Sequence, residues 1–186
     1  MQSNTHDDAL MAATARGEEA AFRLLVQCWE SQVRAFLIHM LSSVEEAEDL
    51  TQDTFVQVFR KAARYHGEGK FQSWLFRIAG NLARSKLRRR KILGWVSFNP
   101  DFHDRADQND SPARQLERKN DAEMVQAAMA KLPQRQRQAL VLHRFQGMKY
   151  KEIAEAMDVT VPAVESLIQR AMGQLRTMLQ GKADRS

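Results

Sequence analysis

The chain has 186 residues, 44% apolar and 27% charged, with a net charge of +5. That apolar share builds packed cores and excludes a disordered chain, while the basic balance (pI ≈ 9.6) suits a polyanion partner. The single Cys28 excludes a disulfide framework or a cysteine-based zinc site. His6, His39, His66, His103 and His143 lack ligand spacing, so no metal or other cofactor is expected.

The chain opens on MQSNTHDD, polar and acidic, unlike a secretory signal. No apolar run reaches 18 residues, so a cytoplasmic protein is the simplest reading. Glycine and proline are sparse and strand-like alternation is nearly absent, which predicts an all-α fold. Phe22, Leu25, Val26, Trp29, Val33, Phe36, Leu37 and Met40 hold a helical period over five turns. Cys28, between Val26 and Trp29, reads as an ordinary core position. A second helix is expected over 45–61, with Leu50, Phe55, Val58 and Phe59 as its apolar side. Its stretch EEAEDLTQDTF sets Asp49 and Asp53 on one face at i, i+4. Such a face is either a docking patch for a basic protein surface or simply solvated. A metal site there is disfavoured by the lack of histidine.

Residues 65–70, YHGEGK, read as a loop punctuated by Gly67 and Gly69. Phe71, Leu75, Ile78 and Leu82 begin a third long helix that runs into RSKLRRRK. Tyr65, Lys70, Phe71, Trp74, Phe76 and Arg77 mix aromatics with cations, a combination that holds unstacked bases. Aromatics at helical spacing also build cores. Phe71 is expected in the core, and Trp74 and Phe76 fit either role. Asn81, one turn after Arg77, carries an amide able to read a base edge or to satisfy a neighbouring backbone group. Six of the eight residues 84–91 are basic. They suit phosphates, or a solvated helix end favoured by the macrodipole.

Composition changes over 97–121, rich in Asp and Asn and holding Pro100 and Pro112. This segment has four basic and six acidic residues; residues 1–96 have 14 and 11, and residues 122–186 have ten and six. The expected organisation is two small helical domains, 1–96 and 122–186, joined by a flexible acidic linker, 97–121. In the second domain, Ile153, Ala154 and Met157 form one apolar stripe and Val164, Ile168, Ala171 and Leu175 another. The four residues 158–161 between them allow only a sharp corner. Thr160 can cap the second helix, and Pro162 is tolerated in its first turn. A third helix over 135–145 must cover the pair. This is a helix-turn-helix unit, which presents its last helix to the DNA major groove.

Taken together, EAEDLTQDTFVQVFRKAARY, FQSWLFRIAGNLARSKLRRR and LPQRQRQALVLHRFQGMKYKEIAEAMDVTVPAVESLIQRAMGQLR resemble the bacterial sigma-70 superfamily. They look most like its smallest branch, the extracytoplasmic-function (ECF) sigma factors. The resemblance covers roughly residues 18–92 and 123–178 and implies a promoter-specificity subunit of RNA polymerase, not an enzyme. It implies that Asp49, Leu50, Gln52 and Asp53 dock on core polymerase. It implies that the loop and the helix after it recognise the −10 element, with Lys70, Trp74, Arg77 and Asn81 near the bases. Arg84, Lys86, Arg88, Arg89 and Arg90 would then hold phosphates. The helix after Thr160 would read the −35 element. Family members often carry Gly-Thr-Val-Lys-Ser-Arg there. This chain carries Pro162, Ala163, Val164, Glu165, Ser166 and Leu167, so two cations become Glu165 and Leu167. Ala163, Glu165, Ser166 and Gln169 are then the expected base-facing residues. The phosphate grip falls to Lys149, Lys151, Arg170 and Arg176. The family also implies an anti-sigma factor, commonly a membrane protein with a cytoplasmic arm, and no small-molecule substrate.

Two rivals differ in what they require. A stand-alone helix-turn-helix regulator needs a sensor or dimerisation domain and has no use for the acidic-then-basic first domain. A recombinase or nuclease needs a nucleophile or a converging metal site. Ser73, Ser85 and Ser166 have no evident base partner, so no catalytic residue is assigned.

Overall fold

The structure is a computed structural model that describes residues 2–94 and 122–183; the linker expected over 97–121 lies outside the described residues. The first half contains α1 (Gln2–Ala15), α2 (Glu19–Leu41), α3 (Val44–Lys61), a short 3₁₀ turn (Ala62–Arg64) and α4 (Phe71–Ile92). The second contains α5 (122–130), α6 (Gln134–Arg144), α7 (Tyr150–Met157) and α8 (Val161–Ala183). Every described element is helical, as the periodicity predicts.

The long stripe of α2 buries Leu25, Trp29, Val33, Phe36, Leu37 and Met40. Cys28, expected in the core, is exposed. It lies one residue, about 100° of helix turn, away from the Leu25–Trp29–Val33 row, and that offset carries it off the stripe. Helix α2 ends at Ser42 in the left-handed region (φ 56°), and the Ser43 hydroxyl then accepts from the Glu46 amide (3.3 Å) to cap α3. Helix α3 buries Leu50, Phe55 and Val58. Phe59, expected beside them, stands 48% exposed, with its ring 5.1 Å from that of Phe22. The inner row of α3 closes at 47, 50–51, 54 and 58, and position 59 turns outward.

Phe71, Leu75 and Phe76 are fully buried on α4. Phe71 lies edge-on to Trp29 (5.8 Å) and Phe76 edge-on to Phe36 (5.2 Å). Phe76 is therefore core. Each such aromatic contributes on the order of 1.5–3 kcal/mol by burial. Helix α1 is absent from the sequence-based expectation because it has no long apolar stripe. Only Leu10, Met11 and Ala13 are its buried apolar residues, and two carboxylates help to hold it.

The second half folds as the two stripes predict. Ile153, Ala154, Met157, Val164, Ile168, Ala171 and Leu175 are all buried. Asp158 makes the corner in the left-handed region (φ 55°), and the Thr160 hydroxyl accepts from the Ala163 amide (3.4 Å). The two halves pack into one continuous core, α6 on α2 and α7 on α4. Much of the contact is polar. Arg137 donates to the Met40 carbonyl (2.6 Å) and to that of Ala130. Gln126 donates to the Ile38 carbonyl (3.3 Å) and the Ser42 hydroxyl (3.1 Å). The Ser73 hydroxyl donates to the Glu152 carbonyl (3.1 Å).

Candidate polymerase and DNA interfaces

The acidic stretch of α3 divides in two. Glu46 turns inward, bonded to Arg90 and 3.7 Å from Lys86, and Glu48 lies 3.7 Å from Arg34. Asp49, Gln52 and Asp53 are exposed along the outer face. Neither aspartate has an ion-pair partner among the described residues. Leu50 lies beneath them in the core, 7% exposed. Thr51 and Thr54 donate to the carbonyls of Ala47 and Leu50 (both 2.7 Å), so their hydroxyls are internally satisfied. The face is a rigid shelf with two carboxylates that nothing within the described chain neutralises.

The face of α4 is differently placed. Trp74 is half-buried against Tyr65, their rings 5.0 Å apart. Lys70 reaches Glu68 (3.0 Å) and, across the halves, Glu155 (3.8 Å). Arg77 pairs with Asp158 of the helix-turn-helix corner (2.9 Å). Asn81 accepts from Arg84, which also donates to Gln138 of α6. Burial, then the nearby Arg135 and Arg88 cations, lower the pKa of Arg84. A cleft of about 320 Å³ remains here, lined by Arg77, Asn81, Arg84, Arg135 and Asp158. Gly80 sits against the second half so closely that a Cβ there would lie 2.2 Å from the Gln138 amide nitrogen.

The basic run also splits. Arg88 and Arg89 are exposed. Arg90 is bound to Glu46 and to the Leu41 carbonyl (3.1 Å), and burial lowers its pKa. Lys86 leans towards the same Glu46. Sequence reasoning missed Arg137, a guanidinium only 5% exposed. Its pKa is lowered to about 10, first by burial and then by Arg90. The signal was present in QRQRQ over 134–138: so long a polar run at the start of a packed helix implies a polar seam.

On α8, Glu165, Gln169, Arg170 and Arg176 are exposed, and Ala163 and Ser166 are half-buried. Gln169 donates to Glu165 (3.5 Å) and Arg170 to the Ser166 hydroxyl (2.9 Å), which knits the outer row at i, i+4 spacing. Leu167, where the family often has a cation, packs against the core. Lys149 and Lys151 stand exposed at the start of α7, where the Lys149 amide donates to Glu152 (2.7 Å).

Among the described residues no helix is long and apolar enough to cross a membrane. Sigma-70 region 2 matches residues 25–92 and Sigma-70 region 4 matches residues 122–175. The RNA polymerase sigma-H factor of Pseudomonas aeruginosa is 30% identical over 187 residues, 97% of each chain. The ECF RNA polymerase sigma factor SigW of Bacillus subtilis is 27% identical, over 89% of this chain and 92% of its own. Among solved structures, CnrH in complex with the cytosolic domain of CnrY superposes with a TM-score of 0.71 at 26% identity, covering 95% of this chain and 98% of that one. RpoE in complex with the anti-sigma factor NepR from Bartonella quintana gives 0.69 at 25% identity, covering 86% and 96%. The chain therefore belongs to the sigma-70 family, in its ECF branch, the sigma factors that bind core RNA polymerase and direct it to promoters.

Proposed function

We propose that the two halves divide this work, residues 1–96 docking on polymerase and reading the −10 element and residues 122–186 reading the −35 element. The protein acts in the cytoplasm, as a binding subunit and not as an enzyme. Asp49, Gln52 and Asp53 form the polymerase contact, resting on Leu50. Lys70, Trp74, Arg77 and Asn81 meet the −10 bases, and Arg84, Arg88 and Arg89 meet phosphates. Glu165, Ser166 and Gln169 face the −35 bases. Glu165 can accept from a cytosine amine, a contact the more usual lysine cannot make. The observation that carries this division is the uncompensated aspartate pair on the outer face of α3, set apart from the arginine-lined face of α4.

In the arrangement described, Arg77 and Arg84 are engaged by the second half, and Asn81 is held by Arg84 beside them. Reading a −10 element through them requires the halves to separate. A closed form of this kind is what an anti-sigma factor would stabilise; among solved relatives RpoE is in complex with the anti-sigma factor NepR, and CnrH with the cytosolic domain of CnrY. The test is transcription by core polymerase freed of other sigma factors, with this protein added, on a pool of genomic promoter fragments. Discrete new start sites sharing two upstream elements are expected. Start sites that share only one element would sink the two-half division.

A further inference from the structure

We propose that Asp8 of α1 is a positioning residue for −10 recognition, its one carboxylate bracing the loop 65–70 in the shape that reads the promoter. This rests on the assignment of that loop and α4 to the −10 element.

This group holds the loop by two hydrogen bonds and closes on it at a third position. The Tyr65 hydroxyl donates to one carboxylate oxygen (2.5 Å), and the Gly69 amide donates to the other (2.7 Å). Between them, Gly67 approaches so closely that a Cβ would stand 3.2 Å from the same carboxyl group. The carboxylate thus occupies the inside of the loop, and its two acceptors tie the loop's ends. A charged acceptor makes both bonds stronger than neutral ones.

Within the loop the Glu68–Lys70 ion pair is exposed and does not reach Tyr65 or Gly67. Lys70, which opens α4, supplies no side-chain cap to that helix. The brace passes directly to the proposed reading surface. Tyr65 lies against Trp74 (5.0 Å) and edge-on to Phe71 (5.9 Å), and the backbone of Lys70 is a further partner of its hydroxyl. Burial and the bond to Asp8 raise the Tyr65 pKa, so the hydroxyl remains a donor across the working range. The neighbouring Asp7 anchors the brace. It is 3% exposed and accepts from the Trp29 indole (3.2 Å), fixing α1 on α2.

The experiment uses the full chain, core polymerase and a promoter library randomised over the −10 element. In Asp8→Asn one acceptor becomes a donor facing Gly69 or Tyr65. Preference for the best −10 sequence over single-base variants is expected to fall roughly tenfold, the equivalent of one charge-assisted hydrogen bond. Core polymerase affinity and melting temperature should stay near wild type. Tyr65→Phe removes only the hydroxyl and should relax the same positions. The double variant should be little worse than Asp8→Asn alone. Unchanged −10 preference overturns the proposal. So does a uniform loss over all −10 sequences with a lower melting temperature, which would make Asp8 merely structural. If Asp8→Asn does not fold, Tyr65→Phe decides alone. Trp74→Ala separates the two levels: if it too leaves −10 preference unchanged, the assignment of this loop falls and the brace falls with it. If it relaxes preference while the other two variants do not, only the brace falls.

Discussion

The first half presents two charged faces on adjacent helices, and they differ in access. The aspartate face of α3 looks into solvent, with its carboxylates unpaired among the described residues. The arginine face of α4 looks into the second half, with Arg77 on Asp158 and Arg84 on Gln138. One face is ready for a basic partner surface as it stands. The other is already satisfied by groups that imitate what DNA would offer, a carboxylate and an amide oxygen standing in for a phosphate and a base edge. On the roles proposed above, polymerase engages the open face first and DNA meets the second face only after the halves part.

The seam between the halves adds a polar layer to the shared core. Gln136, Arg137 and Gln138 each leave a buried polar atom without a hydrogen-bond partner. Arg137 is a buried cation bonded only to carbonyls, with Arg90 as a like charge nearby. Each unsatisfied amide costs about 1–3 kcal/mol and an uncompensated buried charge more, so the seam is weaker than its area implies.

Three changes test this contrast, and a fourth tests the anchor of α1. The largest effect is expected from reversing the open face. Asp49→Lys with Asp53→Lys should weaken core polymerase binding on the order of 100-fold or more, by like-charge repulsion against a basic surface. The circular dichroism spectrum should not change. Wild-type affinity in that double variant would remove the docking role of α3.

Next is the closed seam. In Gly80→Leu the added side chain enters the space of Gln138. Small-angle scattering should show a larger radius of gyration. DNA affinity of the free protein should rise roughly tenfold, since a binding-competent form would no longer be a minor population. An unchanged radius together with unchanged DNA affinity would mean that the contact does not hold the halves closed.

A smaller effect separates neighbours within the basic run. Arg88→Ala with Arg89→Ala should lower the salt slope of DNA binding by about 2, uniformly across sequences. Arg90→Ala should leave that slope nearly unaltered and instead destabilise the first half by about 1.5–3 kcal/mol, because Glu46 and the Leu41 carbonyl lose their partner. If all three positions behave alike in a salt titration, the division of the run is wrong.

The smallest effect concerns Asp7, which pins α1 to α2 through Trp29. Burial raises its pKa above the ordinary 3.8, so the folded protein holds this proton more tightly than the unfolded chain does. Its contribution to stability is therefore greatest below the unfolded value and is lost as pH rises through the raised one. Asp7→Asn should flatten the stability–pH curve only in the window just above that ordinary value. A curve that keeps its slope there would show that another group carries it.

Much of this protein was legible from residue spacing. The helices of α2, α3, α4 and the helix-turn-helix pair follow from apolar periods of three and four, because a helix must bury one stripe whatever its neighbours are. The Thr160 cap and the corner at 158–161 follow from local chemistry as well. The family motifs then pointed to the two faces of the first half. Sequence alone could not separate Glu46 from Asp49, or Arg90 from Arg89. These pairs share a composition and differ only in the direction each side chain takes once α3 and α4 pack. Cys28 and Phe59 were misplaced for the same reason: a shift of one residue turns a side chain by about 100°. Helix α1 was missed because partners distant in sequence hold it, Trp29 for Asp7, and Tyr65 and Gly69 for Asp8. Local pattern decides which segments are helices. Only tertiary packing decides which charges stay free for a partner and which are already spent on the protein itself.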